Sequence, residues 1–204
     1  MDARLTPTPH TLADVDIRSR ETLGQGWGRL ERFTLRHRRF DGTWSEVIQR
    51  DLYTIAEVGM VLPYDPKLDA VVLIEQFRTC GLFWGEATWL FEAVAGIVDP
   101  GETPPEVARR EAMEEAGCTI DAPIPIATVY SSPGGYGERT YMFAARTDLS
   151  AIGGTHGLAE EHEDIRAVVV PLVEAYLACL DGRVREAKTI LMIQWLMLNK
   201  SKLT

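Results

Sequence analysis

The stretch Gly96-Ile-Val-Asp-Pro-Gly-Glu-Thr-Pro-Pro-Glu-Val-Ala-Arg-Arg-Glu-Ala-Met-Glu-Glu-Ala-Gly117 decides how the rest of the chain is read. Thr103-Pro104-Pro105-Glu106 has the form of a helix start. Thr103 can cap, the prolines sit in the first turn where an N–H is not needed, and Glu106 stands three residues after the cap. Ala108, Ala112, Met113 and Ala116 continue the helix to Gly117, a natural stop because the residue after a helix favours a left-handed backbone. Glu111, Glu114 and Glu115 lie three and four residues apart and share one face. Their repulsion can be relieved by solvent together with Arg109 and Arg110, as on any acidic helix face. It can equally be relieved by a hard divalent cation such as Mg²⁺ or Mn²⁺, which takes oxygen ligands and shares them with phosphates. Residues 110–115 by themselves leave both readings open.

Strand patterns flank this helix on both sides. Val58-Gly59-Met60-Val61-Leu62 and Val71-Val72-Leu73-Ile74 are apolar without alternation, which suits strands buried on both faces. Strands are expected over 56–63, 70–77 and 88–95, and again over 124–130, 140–145 and 165–172. Helical periodicity returns at 173–180 and 185–198, where Ile190, Leu191, Ile193, Leu196 and Met197 outline an apolar stripe. Residues 12–54 read as short strands, with Asp41-Gly42 marking a turn. Strands around one central helix, closed by terminal helices, imply an α/β sandwich with a mixed sheet.

The 204-residue chain is 46% hydrophobic and 25% charged, values of an ordered globular protein. Its net charge of −9 argues against a nucleic-acid partner, which calls for a basic face. The acidity is local. Residues 92–115 hold seven acids against two arginines, residues 160–164 hold four acids and no Lys or Arg, and the remainder is neutral. No apolar run approaches the ~20 residues of a membrane span. The first thirty residues, with Asp2, Asp14, Asp16 and Glu21, lack the apolar segment of a secretory signal. Cys80, Cys118 and Cys179 form no Cys-x-x-Cys pair, so they read as small buried thiols in a reducing cytoplasm.

The spacing from Gly96 to Cys118 carries a resemblance. Gly96, Glu102, Arg110, Glu111, Glu114, Glu115 and Gly117 match the Nudix box, G-x5-E-x7-R-E-U-x-E-E-x-G-U. Ala112 and Cys118 stand at the two U positions normally held by aliphatic residues. The chain thus resembles the Nudix hydrolase superfamily, which implies an α/β/α sandwich over residues 55–204 and hydrolysis of a nucleoside diphosphate linked to another moiety. The resemblance further implies two or three divalent ions per site, Mg²⁺ or Mn²⁺. Glu111 and Glu115 resemble the principal ligands, Glu114 a supporting one, and the Ala95 carbonyl a further one. Glu102 and Arg110 resemble the pair that orients helix and loop.

Beyond the box, the resemblance narrows to the ADP-ribose pyrophosphatase subfamily. Pro133, within Ser131-Ser132-Pro133-Gly134-Gly135, lies where that subfamily's substrate loop has a proline, with Ser132 and Gly134 beside it. Read without the family, the segment is a turn. Glu138 and Arg139 read either as contacts to ribose hydroxyls or phosphate, or as a solvated ion pair. The run Glu160-Glu161-His162-Glu163-Asp164 follows Gly153, Gly154 and Gly157, which suit a mobile closing loop. By the resemblance Glu161 is the general base and Glu163 a metal ligand, while His162 has no assigned role. Trp27 stands where an aromatic stacks on adenine, although a core or interface tryptophan reads nearly as well. Arg50 and Arg78 match basic positions near the diphosphate and terminal ribose, where a planar fork bonds two oxygens; plain surface placement is the other reading.

The implied function is cleavage of ADP-ribose to AMP and ribose 5-phosphate by a cytoplasmic homodimer. A small β-rich N-terminal domain, residues 1–54, would exchange across that dimer and help build the partner's site. GDP-mannose or another nucleoside diphosphate sugar is the alternative substrate, and a non-catalytic nucleotide sensor the alternative class. Neither a nucleic acid nor a membrane is expected as a partner.

Overall fold

The computed structural model describes residues 7–203 and falls into two compact units, Met1–Ile55 with Ser132–Gly137, and Ala56–Ser131 with Glu138–Thr204. The first six residues of the expected N-terminal domain, and Thr204, lie outside the described residues.

In the first unit, β1 (Val15–Gln25), β2 (Arg29–His37) and β3 (Ile48–Thr54) form an antiparallel ladder in that order. Strands β1 and β2 are longer than the short ones expected. Cross-strand side chains line them: Arg36 bonds Asp16, Arg32 bonds Asp51, Arg20 pairs with Glu31, and Arg36 and Arg38 lie over the Trp44 ring. Such pairs stabilise a sheet modestly but supply no core, and among residues 7–55 only Gly28 and Glu31 are buried. Tyr53 ties the 132–137 segment to β3. Its N–H donates to the Gly135 carbonyl at 2.9 Å and its ring stacks on Tyr136 at 6.1 Å.

The second unit contains β4 (Glu57–Asp65), β5 (Ala70–Phe77), β6 (Trp89–Glu92), β7 (Val94–Ile97) and α1 (Pro104–Ala116). These are followed by β8 (Ile124–Ser132), β9 (Tyr136–Arg146, in this unit from Glu138), β10 (Gly154–His156), β11 (Ile165–Pro171), α2 (Leu172–Asp181) and α3 (Ala187–Asn199). Its strands run β9-β4-β5-β11-β10, with β9 and β4 parallel and the other ladders antiparallel. The sheet is therefore mixed.

Alternation along the strands sorts two cores. Met60, Leu62, Val71, Leu73, Met142 and Ala144 pack with Leu172 and Ala175 of α2 and Met192, Ile193 and Leu196 of α3. Val61, Val72, Ile74, Val94, Phe143 and Ala145 pack with Ala108, Ala112 and Ala116 of α1. Helices thus cover both faces of this unit's sheet, which is why the strands need uninterrupted apolar runs. No helix among the described residues is long and apolar enough to cross a membrane.

Three local expectations need correction. The strand expected over 88–95 is broken at Ala93: β6 pairs with β5, placing Glu92 opposite Ile74, whereas β7 pairs with β4, placing Ala95 opposite Met60. At the break the Ala93 N–H donates to Thr189 Oγ of α3 at 2.8 Å, so the orphaned donor is satisfied. The buried stripe of α3 is Thr189, Met192, Ile193 and Leu196; Leu191 is 39% exposed, because the face turned to the sheet is set one residue away from it. Cys118 is buried and Cys179 half-buried, but Cys80 is exposed. It sits on a 3-10 helix, Thr79–Trp84, whose Leu82, Phe83 and Trp84 are exposed as well. Apolar neighbours along the chain therefore make no core there.

Asp65 illustrates a buried carboxylate with a structural task. Its Oδ1 accepts the Lys67 and Leu68 N–H groups and its Oδ2 the Leu149 N–H at 3.0 Å. Burial by itself would raise this carboxyl, but the three donors together hold it below the usual carboxylate range. Its stabilising contribution is complete above about pH 4 and is lost as the pH falls through its lowered native value. Asp65→Asn places an NH₂ against one of these donors, so denaturant unfolding at pH 7 should show a loss of ~1–3 kcal/mol. The difference from wild type should shrink as the pH drops below 4; a pH-independent difference would exclude this origin.

Candidate active site

The site begins with the local chemistry of α1. Glu106 accepts both the N–H and the hydroxyl of Thr103, at 2.8 and 2.6 Å, which closes the helix start. Gly117 (φ +64°) ends it, with its N–H on Met113 C=O and the Cys118 N–H on Ala112 C=O. Between these ends, one face of α1 presents Arg110, Glu111, Glu114 and Glu115. Arg110 is the hub. It donates to both oxygens of Glu102 at 3.0 and 3.1 Å, to Glu111 at 2.6 Å, to Glu114 at 2.9 Å and to the Ile97 carbonyl at 3.3 Å. One planar guanidinium thereby ties the loop after β7 to the helix.

The broken strand carries the backbone beneath these acids. Glu115, only 2% exposed, accepts the Ala95 N–H at 3.0 Å. Glu111 lies directly over Gly96, where a Cβ would stand 1.7 Å from its Oε1. Burial pushes the Glu111 carboxyl up to about 7 against the pull of Arg110, with Glu114 and Glu163 adding repulsion. Burial also raises Glu115 well above the ordinary range; the Ala95 N–H opposes this, while Glu111 and Glu163 reinforce it. These oxygens fit a hard divalent cation: the donor set is all carboxylate, crowded, desolvated and short of positive charge. Among the described residues, no three His, Cys, Asp or Glu side chains are already gathered into one ligating group.

The acidic loop reaches the same region. The Gly157 N–H donates to the Glu114 carbonyl at 3.2 Å, docking the loop on α1, and the Leu158 N–H donates to Glu163 at 3.1 Å. Gly157 has φ +100°, and a Cβ there would stand 2.7 Å from that of Glu163, so the close turn requires glycine. The segment is organised rather than featureless, with Gly154–His156 paired to β11 and a 3-10 turn at Ala159–Glu161. Glu163 faces Glu111 and Glu115 electrostatically. Glu161 and His162 are exposed, and the Glu161 side chain makes no hydrogen bond or ion pair among the described residues.

Arg78 also belongs to this cluster, for its charge is felt by Glu115 and Glu163. Its partner is Glu92, bound through three contacts of 2.8–3.2 Å. Sequence reasoning missed Glu92. The available signal was an acid inside the apolar run Trp89-Leu90-Phe91-Glu92-Ala93-Val94, since a buried charge demands a partner. Glu138 is placed elsewhere: buried, it accepts Ser131 Oγ, Thr140 Oγ and Lys188 Nζ at 2.7–2.9 Å. Lys188 reaches Glu138 from α3, and Arg139 pairs with Glu57.

The remaining candidates lie in the first unit. Trp27, at the β1–β2 turn, is 75% exposed. Beside it, Gly28 donates to the Tyr53 hydroxyl at 2.9 Å and is packed so closely that a Cβ would meet Thr54 and Tyr53 at 2.7 Å. Tyr53, also missed, therefore links the Trp27 turn to the segment of Ser132, Pro133 and Gly134, all three exposed. Arg50 is exposed on β3, and its guanidinium donates to the Gln49 carbonyl.

Comparison with known proteins adds three findings. Residues 54–192 match the NUDIX domain family, and residues 14–53 match the family described as GDP-mannose pyrophosphatase NudK N-terminal domain. The chain is 40% identical to an ADP-ribose pyrophosphatase of Escherichia coli (strain K12) over 190 residues, 93% of this chain and 91% of that protein. It is 35% identical to a GDP-mannose pyrophosphatase of Yersinia pestis over 178 residues, 86% of this chain and 87% of that one. A solved structure described as an ADP compounds hydrolase superposes with a TM-score of 0.69 over 95% of this chain and 98% of the other. At 20% identity that likeness concerns the fold.

Proposed function

The chain belongs to the Nudix hydrolase family, and from that membership we propose that it cleaves the diphosphate of ADP-ribose, yielding AMP and ribose 5-phosphate. The observation that carries this reading is the acidic face of α1: Glu111 lies over Gly96 and Glu115 is buried against the Ala95 N–H, with Glu163 of the docked acidic loop and the Arg78 guanidinium within electrostatic reach, carboxylates that suit cations near a fork that suits a phosphate or ribose oxygen. Identity to ADP-ribose pyrophosphatases across nearly the whole chain supports the substrate. Glu111, Glu115 and Glu163, with Glu114 and the Ala95 carbonyl, would hold Mg²⁺ or Mn²⁺, two or three ions per site. When bound, such ions neutralise the diphosphate and polarise the attacking water.

Glu161 would take the proton from that water. An exposed carboxylate with no partner among the described residues is available as a base, whereas Glu163 accepts the Leu158 N–H. Trp27 would stack on the base, Arg50 and the 132–134 segment would meet the rest of the ligand, and Glu138 would anchor its strand through Lys188. A homodimer with an exchanged N-terminal unit accounts for residues 7–55 burying almost nothing while Ile17, Trp27 and Phe40 stay exposed. Sedimentation equilibrium should then give about twice 22.8 kDa. The unpaired cysteines, one of them exposed, favour a cytoplasmic setting, and the acidic balance disfavours a nucleic-acid partner.

A second reading, hydrolysis of GDP-mannose, draws on the match of residues 14–53 and the 35% identical relatives. A nucleotide sensor is disfavoured, because every charged box position is present. Product analysis after incubation with ADP-ribose and GDP-mannose, with and without Mg²⁺, separates the three: AMP and ribose 5-phosphate, GMP and mannose 1-phosphate, or no cleavage. Glu161→Gln should lower kcat by about 10²–10⁴-fold with metal affinity unchanged. Loss of metal binding in that variant would make Glu161 a ligand and leave the base unassigned.

A further inference from the structure

The ion pair between Arg78 and Glu92 is forked like those of Arg20 with Glu31 and Arg32 with Asp51, but it alone of the three lies within electrostatic reach of Glu115 and Glu163. Nε and Nη2 of Arg78 are committed to the two oxygens of Glu92, so one edge of the fork is closed. The N–H groups of Nη1 make no hydrogen bond among the described residues, and the side chain is 42% exposed. Glu92 itself is 6% exposed, a burial that a solvent-facing ion pair does not require. The break at Ala93 produces this arrangement, since it lets β6 follow β5 and sets Glu92 on the strand beside Arg78.

The other carboxylates within electrostatic reach of Arg78 are Glu115 and Glu163. A guanidinium released from Glu92 would be drawn to them, and would compete for acids that the proposed function needs for cations. We propose that Glu92 is a positioning residue. It pins one edge of Arg78 so that Nη1 faces an anionic or hydroxyl oxygen of a nucleoside diphosphate sugar, and it keeps the guanidinium off Glu115 and Glu163. This rests on the hydrolase reading above, in which Arg78 contacts the ligand, and it deepens that reading by naming what orients the contact.

A double-mutant cycle tests it. Glu92→Gln, Arg78→Gln and the double variant are compared for ADP-ribose binding by calorimetry in chelator, and for KM and kcat with Mg²⁺. Arg78→Gln keeps a donor for Glu92, so neither single variant strands a buried charge with nothing to bond. Glu92→Gln should raise Kd and KM about tenfold and raise the Mg²⁺ concentration needed for half-maximal rate, with kcat at saturating Mg²⁺ within about twofold. On the Arg78→Gln background the same change should add less than about twofold, since Glu92 acts only through Arg78. A full tenfold loss on that background, or a fall in kcat at constant KM as expected of a merely misfolded fraction, overturns the inference while leaving the hydrolase reading intact. A wild-type protein that neither binds nor cleaves ADP-ribose overturns both.

Discussion

Glu115→Gln is expected to lower kcat by at least about a thousandfold while leaving the metal-free protein no less stable than wild type. Both halves of this result come from one geometry. Glu115 is almost fully buried with a single donor, the Ala95 N–H, and faces the like charges of Glu111 and Glu163. Keeping a carboxylate ionised there costs free energy that an amide of the same shape does not. The Gln Oε1 can still accept from Ala95. The melting temperature in chelator should therefore hold level or rise, even as an amide, lacking the negative charge, forfeits the proposed ligand. Glu111→Gln should lose activity to a similar degree, with a small fall in melting temperature because it weakens the bond to Arg110. Steady-state kinetics with Mg²⁺ and calorimetric melting in chelator read the two effects separately. A variant that keeps more than a tenth of the wild-type rate would falsify the ligand assignment.

Gly96→Ala should lower kcat/KM by about a hundredfold without unfolding the protein. Gly96 is not among the glycines with a left-handed backbone, so alanine is conformationally acceptable. The nearest conflict is with Glu111: the new methyl would stand 1.7 Å from its Oε1, 2.1 Å from its Cδ and 2.5 Å from its Cγ. A side chain met at three consecutive atoms has to swing aside, and it then leaves both the cluster and Arg110. The ladder between β7 and β4, where Gly96 sits opposite Gly59, involves backbone atoms and should persist, so the melting temperature should move by only a few degrees. Wild-type activity in Gly96→Ala would mean that Glu111 works from a position other than the one over β7.

Reading the chain alone went furthest where the cause is close along the backbone. Thr103, Glu106 and Gly117 bound α1 as their types require, and the spacing of Arg110, Glu111, Glu114 and Glu115 places them on one face. It failed where two distant segments compete for the same neighbour. Residues 88–95 look like one strand, yet the half before Ala93 finds β5 and the half after it finds β4. No local preference distinguishes the two. Glu92 and Lys188 are silent in the sequence for a related reason, because a charged residue reads as solvated until its burial and partner are known. Cys80, apolar in its surroundings along the chain, is exposed on its 3-10 helix.

Chain order thus settled the capped helix, the shared face of its acids and the uninterrupted apolar runs that let one sheet carry helices on both sides. All of these follow from steric and hydrogen-bonding rules that act within about four residues. The folded structure decided which backbone lies under those acids and how strongly they repel. The Gly157 N–H on the Glu114 carbonyl docks the loop of Glu163 on α1, and after the break at Ala93 the pairing of β7 with β4 sets Ala95 and Gly96 under Glu115 and Glu111. Burial then does what composition cannot, turning Glu111 and Glu115 into desolvated carboxylates with too little positive charge around them.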